Sequence, residues 1–420
     1  MILAPKITSS PAFSKGLVFI DQVMVSGSNF LIGILLVRSI GLEAYGTFAL
    51  LWMCVLFALG IHQAFITKPF LSIAPKLNGI EKETYFRGLH TIQYIGSTLF
   101  LIAGGIIYGG TELFYIPRLS TFIPLVSMII FCQTIHDFYR KLYLIQDRIP
   151  KVFLLDFLLY GGQLAGIITL SLIGKLNLTT ALWTIISANT VSILYGKYSQ
   201  GFSVINYKKI LIRHFHFSKW LLGTSVLQWL SGNYFIIVGA SILGTSAVGA
   251  IRMVQNVMGL CHILFLAMES IIPIEAAQQF QAEGENSLIK YLIETTKKLG
   301  LGFGLLLLFI VGFAEPILSL IYGAAAADYA YIAVAYALLY AFVFIGHPFR
   351  FYLRTIEKTS PIFFAYCFGA LFSLSCAYPL LSYLGIYGLL FGLIFTQCIN
   401  IGTYYFFSLL SRKFSLQKIK

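Results

Sequence analysis

Charged side chains are scarce in this 420-residue chain: Asp, Glu, Lys and Arg make up 11%, and only 16 residues are acidic. Soluble domains carry about a quarter charged residues, so the chain lacks the surface of a water-soluble globule. It also lacks a G-x-x-x-x-G-K-S/T phosphate loop, which excludes nucleotide hydrolysis by the chain itself as the driver of a cycle. Stretches between apolar segments are short, and the longest, about 274–298, is too small for a domain. That argues against a membrane-embedded polymerase or ligase, which needs an outer loop to hold its carboxylates and acceptor site. The acids on the outer side, Glu43, Glu112 and Asp328, are scattered, and no Ser-His-Asp or paired-carboxylate arrangement can be assembled. No catalytic residue is expected. The six cysteines (Cys54, Cys132, Cys261, Cys367, Cys376, Cys398) sit in apolar segments without a C-x-x-C pair, so neither a disulfide nor a bound metal is expected.

Apolar sequence dominates instead, with 58% hydrophobic residues and a mean hydropathy of +0.84. A bilayer core needs roughly 20 apolar residues per helix. Polar breaks mark twelve such stretches, at about 14–38, 46–74, 88–110, 119–140, 152–174, 180–200, 217–243, 249–273, 299–323, 329–349, 360–384 and 386–410. The first is too long for a cleaved signal, and no small-x-small site follows it, so it is expected to remain a helix. With the N-terminus inside, every Lys and Arg of the 29 falls on the inner side except Arg38, Arg118, Lys175 and Arg252. This asymmetry is the positive-inside rule, and it predicts twelve helices with both termini cytoplasmic. The formal charge of +13 is therefore a topology signal. Its dispersal one loop at a time makes a nucleic-acid surface the weaker reading.

Polar landmarks recur about half a chain apart. Asn29-Phe30 returns as Asn233-Tyr234, Gly41 and Gly46 as Gly244 and Gly249, and Pro69 as Pro273. Arg140 with Asp147-Arg148 returns as Arg350 with Glu357-Lys358. Secondary transporters are commonly built from such repeats, with the site between them. The expected fold is an all-α membrane protein of twelve transmembrane helices in two six-helix lobes, 1–210 and 211–420, working around a shared cavity.

Ionisable groups at membrane depth tend to face a cavity or a partner. In the eighth stretch Arg252, Gln255 and Asn256, Gly259, His262 and Glu269 share one face of a helix, spanning roughly 25 Å. The first stretch carries Gln22, Ser26, Asn29 and Gly33 with Asp21 beside them; its repeat partner carries Thr224, Gln228 and Ser231. The second has Gly60, Gln63 and Thr67 with Lys68 adjacent, the fourth Gln133, His136, Asp137 and Arg140, and the tenth Tyr340, Val343, His347 and Arg350. Competing structural roles are plain. Neutral polar groups also join helices, Arg140 and Arg350 read as cytoplasmic-end anchors, Asp137 can pair with Arg140 one turn on, and His62, His262 and His347 read as packing residues. Arg38, Arg252 and Lys68 would make an internal cavity positive, and arginine's planar fork suits phosphate. An anionic cargo is the consequence, with Arg38, Lys68, Arg252, Gln255, Asn256, Asn29 and Gln228 as candidate ligands. Asp21, His262 and Glu269 are the candidates for coupling to Na+ or H+; no other cofactor is expected.

Three stretches resemble bacterial polysaccharide (O-antigen-type) flippases of the multidrug/oligosaccharidyl-lipid/polysaccharide (MOP) exporter superfamily. They are Phe30–Ala49 (FLIGILLVRSIGLEAYGTFA), Asp137–Gly166 (DFYRKLYLIQDRIPKVFLLDFLLYGGQLAG) and Trp220–Pro273, which contains WLLGTSVLQWLSGN and LGTSAVGAIRMVQNVMG and ends in AMESIIP. Leu42 stands where that group often has proline. The resemblance implies movement of a polyprenyl-pyrophosphate-linked oligosaccharide from the inner to the outer leaflet of a bacterial plasma membrane. It implies Arg38 and Arg252 as cationic cavity residues, and as partners membrane lipids, a polysaccharide polymerase and a chain-length regulator. The rival of the same architecture is a multidrug and toxin extrusion exporter coupled to a cation.

Overall fold

The computed structural model describes residues 11–113, 120–198 and 207–417; Arg118 and both chain ends lie outside them. Every element among the described residues is helical. Hydrocarbon offers backbone groups no water, so a chain this apolar closes its hydrogen bonds within helices. The α-helices are α1 Pro11–His62, α2 Lys68–Ile73, α3 Gly79–Leu113, α4 Ile123–Ile145, α5 Ile149–Asp156, α6 Gly162–Leu172, α7 Leu178–Tyr198, α8 Tyr207–Leu243, α9 Thr245–Val257, α10 Gly259–Gly312, α11 Ala314–Tyr322, α12 Ala330–Thr355 and α13 Ser360–Gln417. Five-residue π-turns, Gln63–Thr67 and Phe157–Gly161, join α1 to α2 and α5 to α6.

Nine helical spans among the described residues are long and apolar enough to cross a membrane. Three of them exceed one crossing. Gly16–Lys76 has 61 residues, roughly 90 Å if straight against a hydrocarbon core of about 30 Å. Cys261–Gly312 and Ser360–Leu410 have 52 and 51. Each is two helices joined at a glycine of positive φ: Gly41 (80°), Gly284 (77°) and Gly385 (57°). A Cβ at such a φ would crowd the carbonyl beyond it. The sequence boundary expected between 384 and 386 falls on the last of them.

The internal repeat is written into the backbone. Gly41 (φ 80°, ψ 171°) and Gly244 (φ 86°, ψ 170°) adopt almost the same conformation. Asp147 (φ 56°) and Glu357 (φ 59°) are the only non-glycine residues of positive φ among the described residues. They cap α4 and α12 identically. The Arg148 amide donates to Tyr143 O and the Asp147 amide to Leu144 O; the Lys358 amide donates to Leu353 O and the Glu357 amide to Arg354 O. This is the Schellman arrangement that satisfies the last carbonyls of a helix.

The chain divides into two compact units. One runs to Ile40 and resumes over Leu51–Ser225; the other comprises Gly41–Leu50 and the chain from Val226 onward. In the first, α3 and α7 pack against α4. Its core is strongly aromatic, with Phe70, Tyr85, Phe138, Tyr139 and Tyr143 all buried. In the second, α10 and α13 pack against α12. There Phe265 stacks on His347 at 4.8 Å and Phe303 on Phe344 at 4.9 Å. The Gly41–Leu50 segment joins this unit through glycine. A Cβ on Gly46 would collide with the Thr245 carbonyl, and one on Gly249 with the Leu42 carbonyl. The repeated glycines thus pack on each other's turns.

Candidate functional site

One departure from the sequence expectation reshapes the site. The polar stripe from Arg252 to Glu269 does not run along one uninterrupted helix. Helix α9 ends at Val257, Met258 has a flattened ψ of −7°, and α10 begins at Gly259. Glycine is a poor helix former, and the Cys261 amide turns back to Met258 O over only three residues. The break re-aims the side chains beyond it. His262 is exposed beside the exposed Ile263 and Leu266, while Arg252, Gln255 and Asn256 stay together on α9.

Around Arg252 the second unit forms a cluster of neutral polar groups. The guanidinium donates to Gln255 Oε1 at 2.7 Å and to Asn233 Oδ1 at 3.4 Å. Gln255 in turn donates to the Tyr336 hydroxyl at 2.8 Å, and Asn256 to the Tyr322 hydroxyl at 2.8 Å. The phenols of Tyr45, Tyr336 and Tyr340 lie within electrostatic range of the same guanidinium. Arg252 Nε is buried with no acceptor, and no carboxylate pairs with Arg252 among the described residues. A cation held by side-chain amides keeps its full charge for an anionic ligand. Tyr322, Tyr336 and Asn233 were not singled out as ligands in the sequence. A tyrosine in an apolar helix reads as packing, and Asn233 drew notice only as a repeat landmark.

Gln228, on α8 of the same unit, is exposed and apart from this cluster in sequence. The other candidate ligands belong to the first unit. Asn29 and Arg38 are exposed on α1, and Lys68 is exposed at the start of α2. Glu269 is half-buried on α10 and paired to three basic side chains of α12: Arg350, Arg354 at 2.8 Å and His347 at 3.9 Å.

Asp21 anchors a second polar assembly, inside the first unit. Arg140 donates from Nε to Asp156 at 2.5 Å and from a terminal nitrogen to Asp21 at 3.0 Å. Asp156 also meets His136 Nε2 at 3.0 Å, whose Nδ1 lies 2.9 Å from the Ser192 hydroxyl. Arg140 is therefore the centre of a buried ion network, not an end anchor extended toward water. Asp137 does not pair with it either; its contacts are Gln63 at 3.4 Å and His62 at 3.8 Å. His62 continues through Gln93 (2.6 Å) to Ser97 and Thr134. The π-turns sit at this network, one beginning at Gln63 and the other directly after Asp156, where the extra residue re-aims the side chains. Asp21 Oδ1, Asp137 Oδ2 and Gln133 Oε1 are buried acceptors without a donor.

Separate from all these charges, the first unit carries an apolar groove of about 690 Å³. Gly161, Gly162, Ala165 and Gly166 form one wall, and Trp183, Thr184 and Val191 form the other. No group of His, Cys, Asp and Glu suited to a metal ion occurs among the described residues.

No family model and no curated protein matches this sequence. Solved structures do. The chain is similar to an inward-facing multidrug resistance MATE transporter of the MOP superfamily, with TM-score 0.67, 12% identity and coverage of 98% of this chain and 97% of that one. It is similar to the lipid II flippase MurJ in an inward closed conformation, with TM-score 0.68, 12% identity and coverage of 94% and 87%. A third is a MOP transporter from Pyrococcus furiosus described as having a binding pocket of reverse polarity, with TM-score 0.63, 11% identity and 95% of each chain covered. The chain has the fold of the MOP-superfamily transporters. Its nine apolar spans among the described residues make it a multi-pass membrane protein, and its solved neighbours are transporters.

Proposed function

We propose that the protein is a flippase that moves a polyprenyl-pyrophosphate-linked oligosaccharide from the inner to the outer leaflet of a bacterial plasma membrane by alternating access. The observation that carries this reading is Arg252. It is a guanidinium within an apolar helix, held by Gln255 and Asn233 and opposed by no carboxylate among the described residues. A diphosphate supplies the oxygens that its unmatched N–H lacks. Gln255, Asn256 and the tyrosines that hold them are suited to the hydroxyl-rich sugar, while Arg38, Lys68, Asn29 and Gln228 complete the proposed ligand set. In this reading the three spans broken at Gly41, Gly284 and Gly385 each count as two crossings. That gives twelve helices in halves 1–210 and 211–420 with both termini cytoplasmic, the side the basic loops favour. An O-antigen-type pathway, with a polymerase and chain-length regulator as partners, belongs to the same proposal.

A multidrug exporter coupled to a cation is the second reading, and the first unit favours it. Asp21 and Asp137 each keep a buried oxygen without a donor, as a site loaded by Na+ or a proton would require. Within the flippase reading Asp21 is the coupling residue. His262, exposed outside the polar clusters, and Glu269, already paired, are weaker candidates. Reconstituted vesicles separate the two readings. The flippase reading expects a fluorescent polyprenyl-diphosphate oligosaccharide to cross and an organic cation to stay. Movement of the cation alone would overturn it.

A further inference from the structure

Arg140 and Arg350 occupy equivalent positions in the repeat, yet their surroundings carry opposite charge. Arg140 is shared by two buried carboxylates, Asp21 and Asp156. The repeat offsets place Ser225 and Tyr366 where those acids would stand in the second half. There one carboxylate, Glu269, serves two arginines. Its Oε1 pairs with Arg350 and lies 3.9 Å from His347 Nε2, and its Oε2 accepts from Arg354 at 2.8 Å. His347 is fixed in that orientation because its Nδ1–H donates to Val343 O at 2.7 Å. The group is one acid short. Arg350 Nε is buried with no acceptor, although Glu269 and Arg354 keep 29% and 46% of their side-chain surface open.

A carboxylate has one charge and two oxygens to offer this pair of guanidinium forks, whereas a phosphate ester or diphosphate has more of both. The two arginines lie one turn apart near the C-terminal end of α12, where the helix dipole holds cations in place.

We propose that Arg350, Arg354 and His347 form a docking site for a phosphate-type oxyanion of a lipid, and that Glu269 fills it as an internal stand-in which the ligand displaces. The site rests on the flippase reading only for the origin of a diphosphate ligand. An anionic phospholipid headgroup presents the same chemistry.

The test is calorimetric titration of inorganic pyrophosphate into the full chain, held in nanodiscs of zwitterionic lipid. The parent carries Arg252→Gln, so that binding at Arg252 does not contribute. Adding Glu269→Gln removes the internal competitor and should tighten pyrophosphate binding about tenfold, as expected when a closed state no longer holds most of the population. Arg350→Gln with Arg354→Gln should abolish binding. Arg354→Gln alone, at a side chain nearly half exposed, keeps the test readable if the double variant misfolds, and it should weaken binding about tenfold. Unchanged or weaker binding in the Glu269→Gln chain would make that residue a structural counter-ion and overturn the proposal. Discs containing phosphatidylglycerol then identify the source. If pyrophosphate binding weakens there, phospholipid headgroups occupy the site; if it is unchanged, a diphosphate-linked lipid is the ligand. Failed transport by the wild-type chain with pyrophosphate binding intact at this site would reject the flippase reading and leave this site standing.

Discussion

The two units share a repeat, a helix-capping geometry and a central helix, α4 in one and α12 in the other, yet they spend their polar residues differently. The first unit matches its central arginine with acids, both of them buried. Arg140 sits against Asp21 and Asp156, and His136, Ser192 and the His62–Gln93–Ser97–Thr134 chain extend the network, with Asp21 and Asp137 each keeping one oxygen without a donor. The second leaves cations in excess. Arg252 is held by neutral groups, and its repeat equivalent in the first half is Ala49. Arg350 and Arg354 share one acid. The repeat therefore shares a scaffold and divides the chemistry: a carboxylate-rich network in one unit and under-paired arginines in the other.

The largest effect should come from breaking the carboxylate-rich network. Asp156→Ala removes the buried acceptor that Arg140 and His136 share and leaves Arg140 with Asp21 alone, a change that costs about 3–5 kcal/mol when one partner of a buried pair is removed. Thermal unfolding in detergent should register it as a chain that is barely stable. A small shift in midpoint would show that the network is wet and the comparison wrong.

Arg252→Ala comes next, and its effect should fall on function alone. Losing charge-assisted hydrogen bonds of about 1.5–3 kcal/mol should slow translocation about tenfold to a hundredfold, while the amount of protein in the membrane stays normal. Equal destabilisation by Arg252→Ala and Asp156→Ala would erase the distinction between the units.

Gly249→Ala tests the scaffold the units share. The added Cβ would meet the Leu42 carbonyl, which is backbone and cannot swing aside, so a loss of about 1–3 kcal/mol is expected. Gly232→Ala, with open space at its Cβ, should be neutral or slightly stabilising.

Smallest is the paired test at the caps. Glu357→Gly relieves a left-handed φ for a residue that resists it and should stabilise by roughly 0.5–1 kcal/mol, while Asp147→Gly should gain less because Asp tolerates that region better. Urea titration of both variants in micelles measures the difference. A larger gain at Asp147 would show that the two caps are not equivalent.

How much of the molecule could be seen in its sequence depends on the range of each interaction. The repeat landmarks were legible because Gly41 and Gly244 answer a local backbone demand that glycine alone meets without strain. Arg252 was legible because a cation in an apolar helix needs a reason. The partners of Arg140 were not: Asp21 lies 119 residues away and Asp156 sixteen, and the helix periodicity that suggested Asp137 says nothing about neighbouring helices. The break at Met258 was hidden for a different reason. A lone glycine within an apolar run is common in membrane helices, so Gly259 gave no warning that His262 would turn away from Arg252. Tyr322 and Tyr336 were invisible because hydroxyl and ring share one side chain, and the ring alone explains its place in a helix.

The central claim is that Arg252 receives an anionic head group on a lipid-linked sugar. The most direct measurement is flux of a fluorescent polyprenyl-diphosphate oligosaccharide across vesicles reconstituted with the wild-type chain, Arg252→Lys or Arg252→Ala at matched protein content. Flux should be rapid for the wild type, partial for lysine, which keeps the charge but not the fork, and lower by about tenfold to a hundredfold for alanine. Wild-type flux in the alanine variant would contradict the claim.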